Sequence, residues 1–427
     1  MQSDKRMLPS EILCRGCGSC AGFCPQGAIT MKESGGKFLP QIDFSKCVDC
    51  GLCIKVCPAT SDVNELNEFV FGKKPKDVWL GNYLNFYAGY STNDKIRYNS
   101  SSGGLVTTLL IFALEKRLID GALITKFKRN DPLRPEVFLA KSPEEIISAS
   151  GSKYCPVPLS SRIDKILKNK GNYAVVGLPC HIYGIRYAEM MLKEIGDKIT
   201  LHLGLFCQHN VTFDGTRVLL RRLGVHPKNV EKLSYRGEGW PGKITISLKN
   251  GNKKQFPFRY MWSALFGAFF YSPPACLLCS DMTAEFADIS LGDAWHPKYA
   301  QDTQGRSMII TRTEHGEDII EKARREGKIK VEKLRREDVF ESHKLAIYFK
   351  KRNIHARAKL LGLCGKKVIP SNTYRNTSIR DYLPAFLAVA NTCLSNNERF
   401  SKILENVPTP ILKAYTHSFN LSRRITL

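Results

Sequence analysis

CRGCGSCAGFCP at residues 14–25 and CVDCGLCIKVCP at residues 47–58 are two copies of one Cys-x2-Cys-x2-Cys-x3-Cys-Pro run, offset by 33 residues and identical at six of twelve positions. This is a ligand spacing for [4Fe-4S] clusters. The tight Cys-x2-Cys-x2-Cys turn supplies three thiolates to one cube, and the fourth Cys, stiffened by the Pro after it, crosses to the other. One cluster is expected on Cys14, Cys17, Cys20 and Cys57, and a second on Cys47, Cys50, Cys53 and Cys24. Duplication places two such clusters side by side, as a wire for single electrons. A lone Cys-x2-Cys pair suggests structural zinc, but two complete runs ending in Cys-Pro do not. Disulfide scaffolds are short and exported, whereas this chain has 427 residues and a polar start without an apolar export segment. A reducing, cytoplasmic setting is expected.

The two runs need only residues 1–68, a ferredoxin-like domain, and the polar stretch at 60–77 reads as a linker. Residues 69–340 alternate between strand and helix patterns. Strands are expected at 85–90, 120–125, 173–177 and 198–206, a buried helix at 103–116, and a hairpin at 243–258. Residues 341–427 read as helical and basic, with 15 Lys and Arg against 4 Asp and Glu. The most apolar stretch, 260–278, contains Pro273 and Pro274 and runs into Cys276 and Cys279, so it reads as buried protein and no membrane span is expected. Lys and Arg exceed Asp and Glu by 64 to 40, a net charge of +24, which clusters reduce by about 2 each. No nucleic-acid-binding signature accompanies the charge, so nucleic acid is not an expected partner. A basic tail suits an acidic redox partner or peripheral contact with an anionic membrane surface, unless it simply packs on the core. Docking predicts that deletion from Thr377 onward slows partner reduction and leaves the cofactor site intact.

A second group of cysteines lies in the α/β part. Cys180 and Cys207 each follow an apolar strand, and Cys276 and Cys279 form a pair. Strand ends converge at one edge of a sheet, so these four thiols are expected to hold a third cluster, with zinc as the alternative. Cys364 and Cys393 read as ordinary, and Cys155, beside Gly151-Ser152-Lys153-Tyr154, has no defined task. Ser100-Ser101-Ser102-Gly103-Gly104 opens a helix with hydroxyls, close backbone approach and a positive helix end, as a pyrophosphate requires. An N-cap in a tight turn explains the serines alone. No GxGxxG follows a strand.

Eight ordered pieces between residues 80 and 300 carry a resemblance: RYNSSSGG at 97–104, LIDGA at 118–122, GSKY at 151–154, GLPC at 177–180, LFC at 205–207, YRG at 235–237, Cys276-x2-Cys279-x-Asp281, and FADISLGDAW at 286–295. Together they resemble the family of coenzyme F420 hydrogenase/dehydrogenase beta subunits. The resemblance implies FAD beside a [4Fe-4S] cluster, with hydride exchanged between the flavin and the deazaflavin coenzyme F420. On that reading cofactor contacts are expected from Asn99, Ser100, Ser101, Ser102, Gly103, Gly104, Lys153, Tyr154 and Asp293, with Lys153 as the catalytic candidate or else a solvated loop lysine, and Asp293 in the pocket or else in a turn or cap role. The family also includes ferredoxin-dependent reductases of other organic substrates, and members tied to polysaccharide synthesis, so membership leaves the substrate open. The expected class is α+β: a two-cluster ferredoxin-like domain, a mixed α/β flavin and iron-sulfur domain, and a helical basic tail. The expected partner is a ferredoxin-like protein or another oxidoreductase subunit; a bare electron-transfer subunit is the competing reading.

Overall fold

The computed structural model describes residues 8–60, 62–363 and 377–427, so Cys364 lies outside the described residues. The two cysteine runs wrap alike. Gly16 and Gly18 in the first copy, and Asp49 and Gly51 in the second, all have positive φ, between 57° and 86°. Each left-handed pair winds the backbone around the central Cys before a short helix, Ser19–Gly22 or Leu52–Lys55. A hairpin of β1 (Ile29–Ser34) and β2 (Lys37–Ile42) joins the copies.

The stretch expected to be a linker is instead a packed helix, Val63–Phe71. Asp62 caps it by accepting the Asn64 N–H, and Val63 and Leu66 are buried against the Pro179–Met191 helix. Polar residues on the opposite face hide that stripe in a composition reading. The boundary drawn at residue 68 falls inside this helix.

The core is an eight-stranded mixed sheet. Its strands are β3 (Asn85–Ser91), β4 (Gly121–Phe127), β5 (Pro135–Ala140), β6 (Tyr173–Gly177), β7 (Ile199–Leu205), β11 (Ile289–Asp293), β12 (Ser307–Thr311) and β13 (Ile329–Leu334). They lie in the order β13-β3-β12-β11-β7-β6-β4-β5. The inner strands β4, β6, β7 and β11 run parallel, and antiparallel strands close both edges. Parallel strands covered on both faces need continuous apolar runs, and AVV in β6 and LHLGL in β7 meet that need. A smaller sheet of β8 (Val230–Ser234), β9 (Lys243–Leu248) and β10 (Lys253–Pro257) contains the expected hairpin.

The Pro179–Met191 helix is locked to the sheet by a buried ionic cluster. His202 on β7 meets Glu189 Oε1 through Nε2 at 2.6 Å and Asp288 Oδ2 through Nδ1 at 3.0 Å. Arg186 bonds both carboxylates at 3.0 Å. Burial and Arg186 push the His202 pKa down, but Glu189 and Asp288 more than reverse this and leave it raised. A raised histidine contributes stability in full below its unfolded pKa of about 6.5 and loses it as pH rises through the folded value. His202→Gln is expected to cost about 3 kcal/mol at pH 6, with a deficit that shrinks toward pH 9. Urea unfolding at both pH values tests this; an equal deficit would mean that His202 is neutral.

The carboxy-terminal region folds into the core. Helices Arg336–Lys351, Ile354–Leu363, Tyr382–Ser395, Glu398–Asn406 and Thr409–Arg424 make it helical, as expected. Phe419, Leu412, Leu404 and Val389 are buried in one cluster with Phe269, Phe270 and Tyr271. Ser395 accepts the Tyr271 N–H at 2.7 Å, and Asn391 donates to the Ala268 carbonyl at 2.8 Å. Among the described residues no helix is long and apolar enough to cross a membrane. Residues 260–278 are largely buried, as their sequence predicts.

Candidate functional site

β6, β7 and β11 run parallel, so their carboxyl ends reach the same edge of the sheet. Chain reversal after β6 starts the Pro179–Met191 helix and sets Cys180 in its first turn. Cys207 follows β7 by two residues, its N–H bonded to the Met282 carbonyl at 2.8 Å. Cys276 and Cys279 bracket the end of a short helix, Pro274–Leu277. Asp281 orders the next turn by accepting the N–H groups of Thr283, Ala284 and Glu285, each at 2.8 Å.

These four thiols are electrostatic neighbours. Cys180 feels Cys207 and Cys279, and Cys207 feels Cys276 and Cys279. Burial raises Cys180 and Cys276 and pushes Cys207 up to about 12. Burial acts the same way on Cys279, but Lys350 and Arg15 overcome it and hold that thiol below its ordinary range. Lys350 is 2% exposed on the Arg336–Lys351 helix. Arg15, from the first cysteine run, is a neighbour of Cys279, Cys180 and Cys57 at once. Cys17 is a neighbour of Cys180, so the first run faces this group. Close backbone approach permits it: a Cβ on Gly22 would lie 1.8 Å from the Ser160 carbonyl oxygen, and one on Gly184 would lie 2.0 Å from Ser19 Oγ. Among the described residues no three His, Cys, Asp or Glu side chains close on a single ion. Four soft donors with two cations, the buried Lys350 and the half-buried Arg15, suit an anionic iron-sulfur cube, whose charge they offset.

Beside the thiols lies a cavity of about 980 Å³, at the upper end of small-molecule sites. Ser100, Ser101, Ser102 and Gly104 form one wall. Ser101 accepts the Ser152 N–H at 2.8 Å and Ser102 bonds Ser307 at 2.9 Å, which joins three segments into a hydroxyl-lined cradle. The Leu105–Glu115 helix opens here from Gly104 at φ 78° with no side-chain cap, so its first N–H groups stay free for an anion. Tyr154, Phe258, Trp262 and His209 supply an aromatic wall, with Tyr154 and Trp262 at 4.8 Å between centroids and Phe258 and Trp262 at 5.7 Å. Cys207 lines both this cavity and the thiol group, and Asn210, also lining it, donates its N–H to Cys276 Sγ at 3.4 Å.

Two expected contacts stand outside the wall. Asn99 is exposed and donates to the Lys95 carbonyl at 2.9 Å, an intrahelical bond. Gly103 serves packing instead, because a Cβ there would lie 2.4 Å from the Gly89 carbonyl oxygen. Lys153 lines the cavity with its ammonium turned back on the carbonyls of Ala149 and Gly151, the latter at 2.8 Å. Burial lowers its pKa to about 8, against a partial pull from Cys155. Asp293 accepts both Arg236 Nη atoms, at 2.7 and 2.9 Å, and Trp240 Nε1 at 3.0 Å. Cys155 also lines the cavity, its thiol pushed up to about 12 by burial. Arg15, Lys350, Asn210 and Arg236 carry roles that sequence reasoning did not assign, although Arg15 and Arg236 lay in motifs already singled out.

Residues 86–164 and 170–337 match the amino- and carboxy-terminal models of the coenzyme F420 hydrogenase/dehydrogenase beta subunit. The chain belongs to that family. Residues 13–61 match a 4Fe-4S dicluster domain, so this member is an iron-sulfur oxidoreductase by family. Among its relatives is an F(420)H(2) dehydrogenase component of Methanosarcina mazei, 26% identical over 74% of this chain and 84% of that protein. The coenzyme F420 hydrogenase subunit beta of Methanothermobacter thermautotrophicus is 28% identical over 57% of this chain and 82% of its own length. The coenzyme F420-dependent sulfite reductase of Methanocaldococcus jannaschii is 28% identical over 72% of this chain and 45% of the longer enzyme. A solved structure of the F420-reducing [NiFe] hydrogenase complex from Methanosarcina barkeri includes a chain with the same fold, at TM-score 0.52 and 23% identity over 66% of this chain and 95% of that one. The family models end at residue 337, so the last helices of this F420 hydrogenase/dehydrogenase family member lie beyond them.

Proposed function

We propose that this chain is an iron-sulfur flavoprotein that couples single-electron transfer through [4Fe-4S] clusters to hydride exchange between FAD and coenzyme F420. The observation that carries this is Cys207, shared by the cavity wall and the core thiol group. FAD, when bound, supplies the conversion between a hydride and two single electrons. The Ser100–Ser102 cradle and the uncapped helix start would hold its pyrophosphate, and the aromatic wall would exclude water around its ring. Cys180, Cys207, Cys276 and Cys279 would hold a third cluster, with Arg15 and Lys350 offsetting its charge. Arg15 and Cys17 lead on to the first ferredoxin-like group. Cys47 and Cys50 are exposed beside Phe44 and Val48, so a partner oxidoreductase would exchange electrons at that end.

A relative favours a second reading, reduction of a different organic substrate: the 7-hydroxymethyl chlorophyll a reductase of Oryza sativa is 25% identical over 73% of this chain. Anaerobically purified protein is expected to contain about twelve irons and one FAD, and reduced coenzyme F420 should bleach the flavin and then generate cluster EPR signals. Flavin reduced by dithionite but not by reduced F420 would favour the second reading. Absence of flavin would end the flavoprotein proposal.

A further inference from the structure

Six cationic side chains line the cavity, Lys153, Arg236, Arg259, Lys344, Arg423 and Arg424, against two carboxylates, Asp293 and Glu341. Four of the cations are engaged. Lys153 is tied to its own turn, Arg236 to Asp293, and Lys344 to Glu341 at 3.1 Å. Arg423 donates to the Leu345 carbonyl at 2.9 Å and packs over the Phe349 ring. Arg259 and Arg424 have no carboxylate within ion-pair reach among the described residues.

Both are held where an anion would meet them. Arg259 lies over the Trp295 ring, 5.4 Å from its centroid, and that ring packs on Trp240 at 4.5 Å. Arg424 ends the Thr409–Arg424 helix, and the segment is pinned by Arg352 donating to the Thr426 carbonyl at 3.1 Å and by Thr426 Oγ1 donating to the Arg423 carbonyl at 2.7 Å. Neither belongs to the hydroxyl cradle around Ser100–Gly104. Unpaired guanidiniums in a cleft raise the local concentration of anions and give forked hydrogen bonds to phosphate or carboxylate.

We propose that Arg259 and Arg424 form an anion-recognising rim that selects an acidic substrate at this cavity, separate from the phosphate cradle at the start of the Leu105–Glu115 helix. This rests on the reading of the cavity as a redox site. Arg259 lies within the family models and Arg424 on a helix beyond them, so the rim is completed by this chain's own carboxy-terminal region.

The test compares 5-deazariboflavin with its 5′-phosphate, two planar probes that differ in charge, by anaerobic equilibrium dialysis against the holoprotein. The phosphate is expected to bind about tenfold more tightly at low salt, the effect of one charge-assisted hydrogen bond. That preference should fall below threefold in Arg259→Ala/Arg424→Ala and largely return in Arg259→Lys/Arg424→Lys. Both arginines are exposed, so these variants keep the core intact. Equal binding of the two probes, or of neither, in the wild type overturns the rim. A preference that survives the double alanine variant assigns the phosphate to the Ser100–Gly104 cradle and overturns it as well. Protein purified without flavin would defeat the flavoprotein reading alone, because the double variant still decides whether the rim binds the phosphate.

Discussion

Cys180→Ser is expected to leave the chain with about eight iron atoms in place of about twelve. Electron flow between the proposed cavity flavin and the ferredoxin-like clusters should slow by at least about a hundredfold, more than loss of an outer-shell partner causes. Cys180 has Cys17 of the first run and the core thiols Cys207 and Cys279 as electrostatic neighbours, so its loss removes a junction between the two groups. A serine hydroxyl is a hard, weakly acidic donor and does not replace a thiolate on iron. Loss of the proposed cube would also strip Arg15 and Lys350 of the negative charge beside them, so thermal stability should drop together with iron content. Iron analysis, EPR of the reduced protein and stopped-flow flavin reduction read the three effects separately. Twelve irons and an unchanged transfer rate would show that these thiols hold no cluster on the path.

Deletion of residues 377–427 is expected to prevent stable folding and abolish every activity together. A docking appendage predicts a selective loss of partner reduction, and the packing argues otherwise. Val389, Leu404, Leu412 and Phe419 are buried in one cluster with Phe269–Tyr271, which precede Cys276 by only a few residues, and Phe419 meets the Phe269 ring edge-on. At roughly 1.5–3 kcal/mol for each large apolar side chain, these four alone contribute about 6–12 kcal/mol. A domain's whole stability is about 5–15 kcal/mol. The deletion also removes the hydrogen bonds of Ser395 and Asn391 to residues 268–271 and takes Arg423, Arg424 and Leu427 from the cavity wall. Soluble expression, flavin content and circular dichroism measure the outcome. A soluble truncated protein with full flavin content and slowed partner reduction would restore the docking view.

The basic character of this region suited either docking or packing on the core, and the structure shows packing, since net charge along a chain does not say where each cation sits. Lys350 and Arg423 are buried, one beside thiols and one between aromatic rings, so they do not belong to a surface field. The polar stretch at 60–77 misled, since a helix buries one stripe and shows the rest.

The ferredoxin-like motif was legible by itself, because iron-sulfur ligation demands a local spacing of thiolates and a duplicated run repeats it within 33 residues. The inner strands β4, β6 and β7 were legible for a similar reason: burial on both faces forces uninterrupted apolar runs, and all three carry them. Family membership was legible from short motifs kept in order. Convergence of strand ends let the meeting of Cys180, Cys207, Cys276 and Cys279 be expected, but only the tertiary structure set Arg15 and Lys350 among them and put Arg423, Arg424 and Leu427 in the cavity wall. Contacts between residues far apart in sequence leave no periodic trace in either segment, and a lone Arg or Lys reads the same whether it faces water, a carboxylate or a thiolate until the fold decides its neighbour.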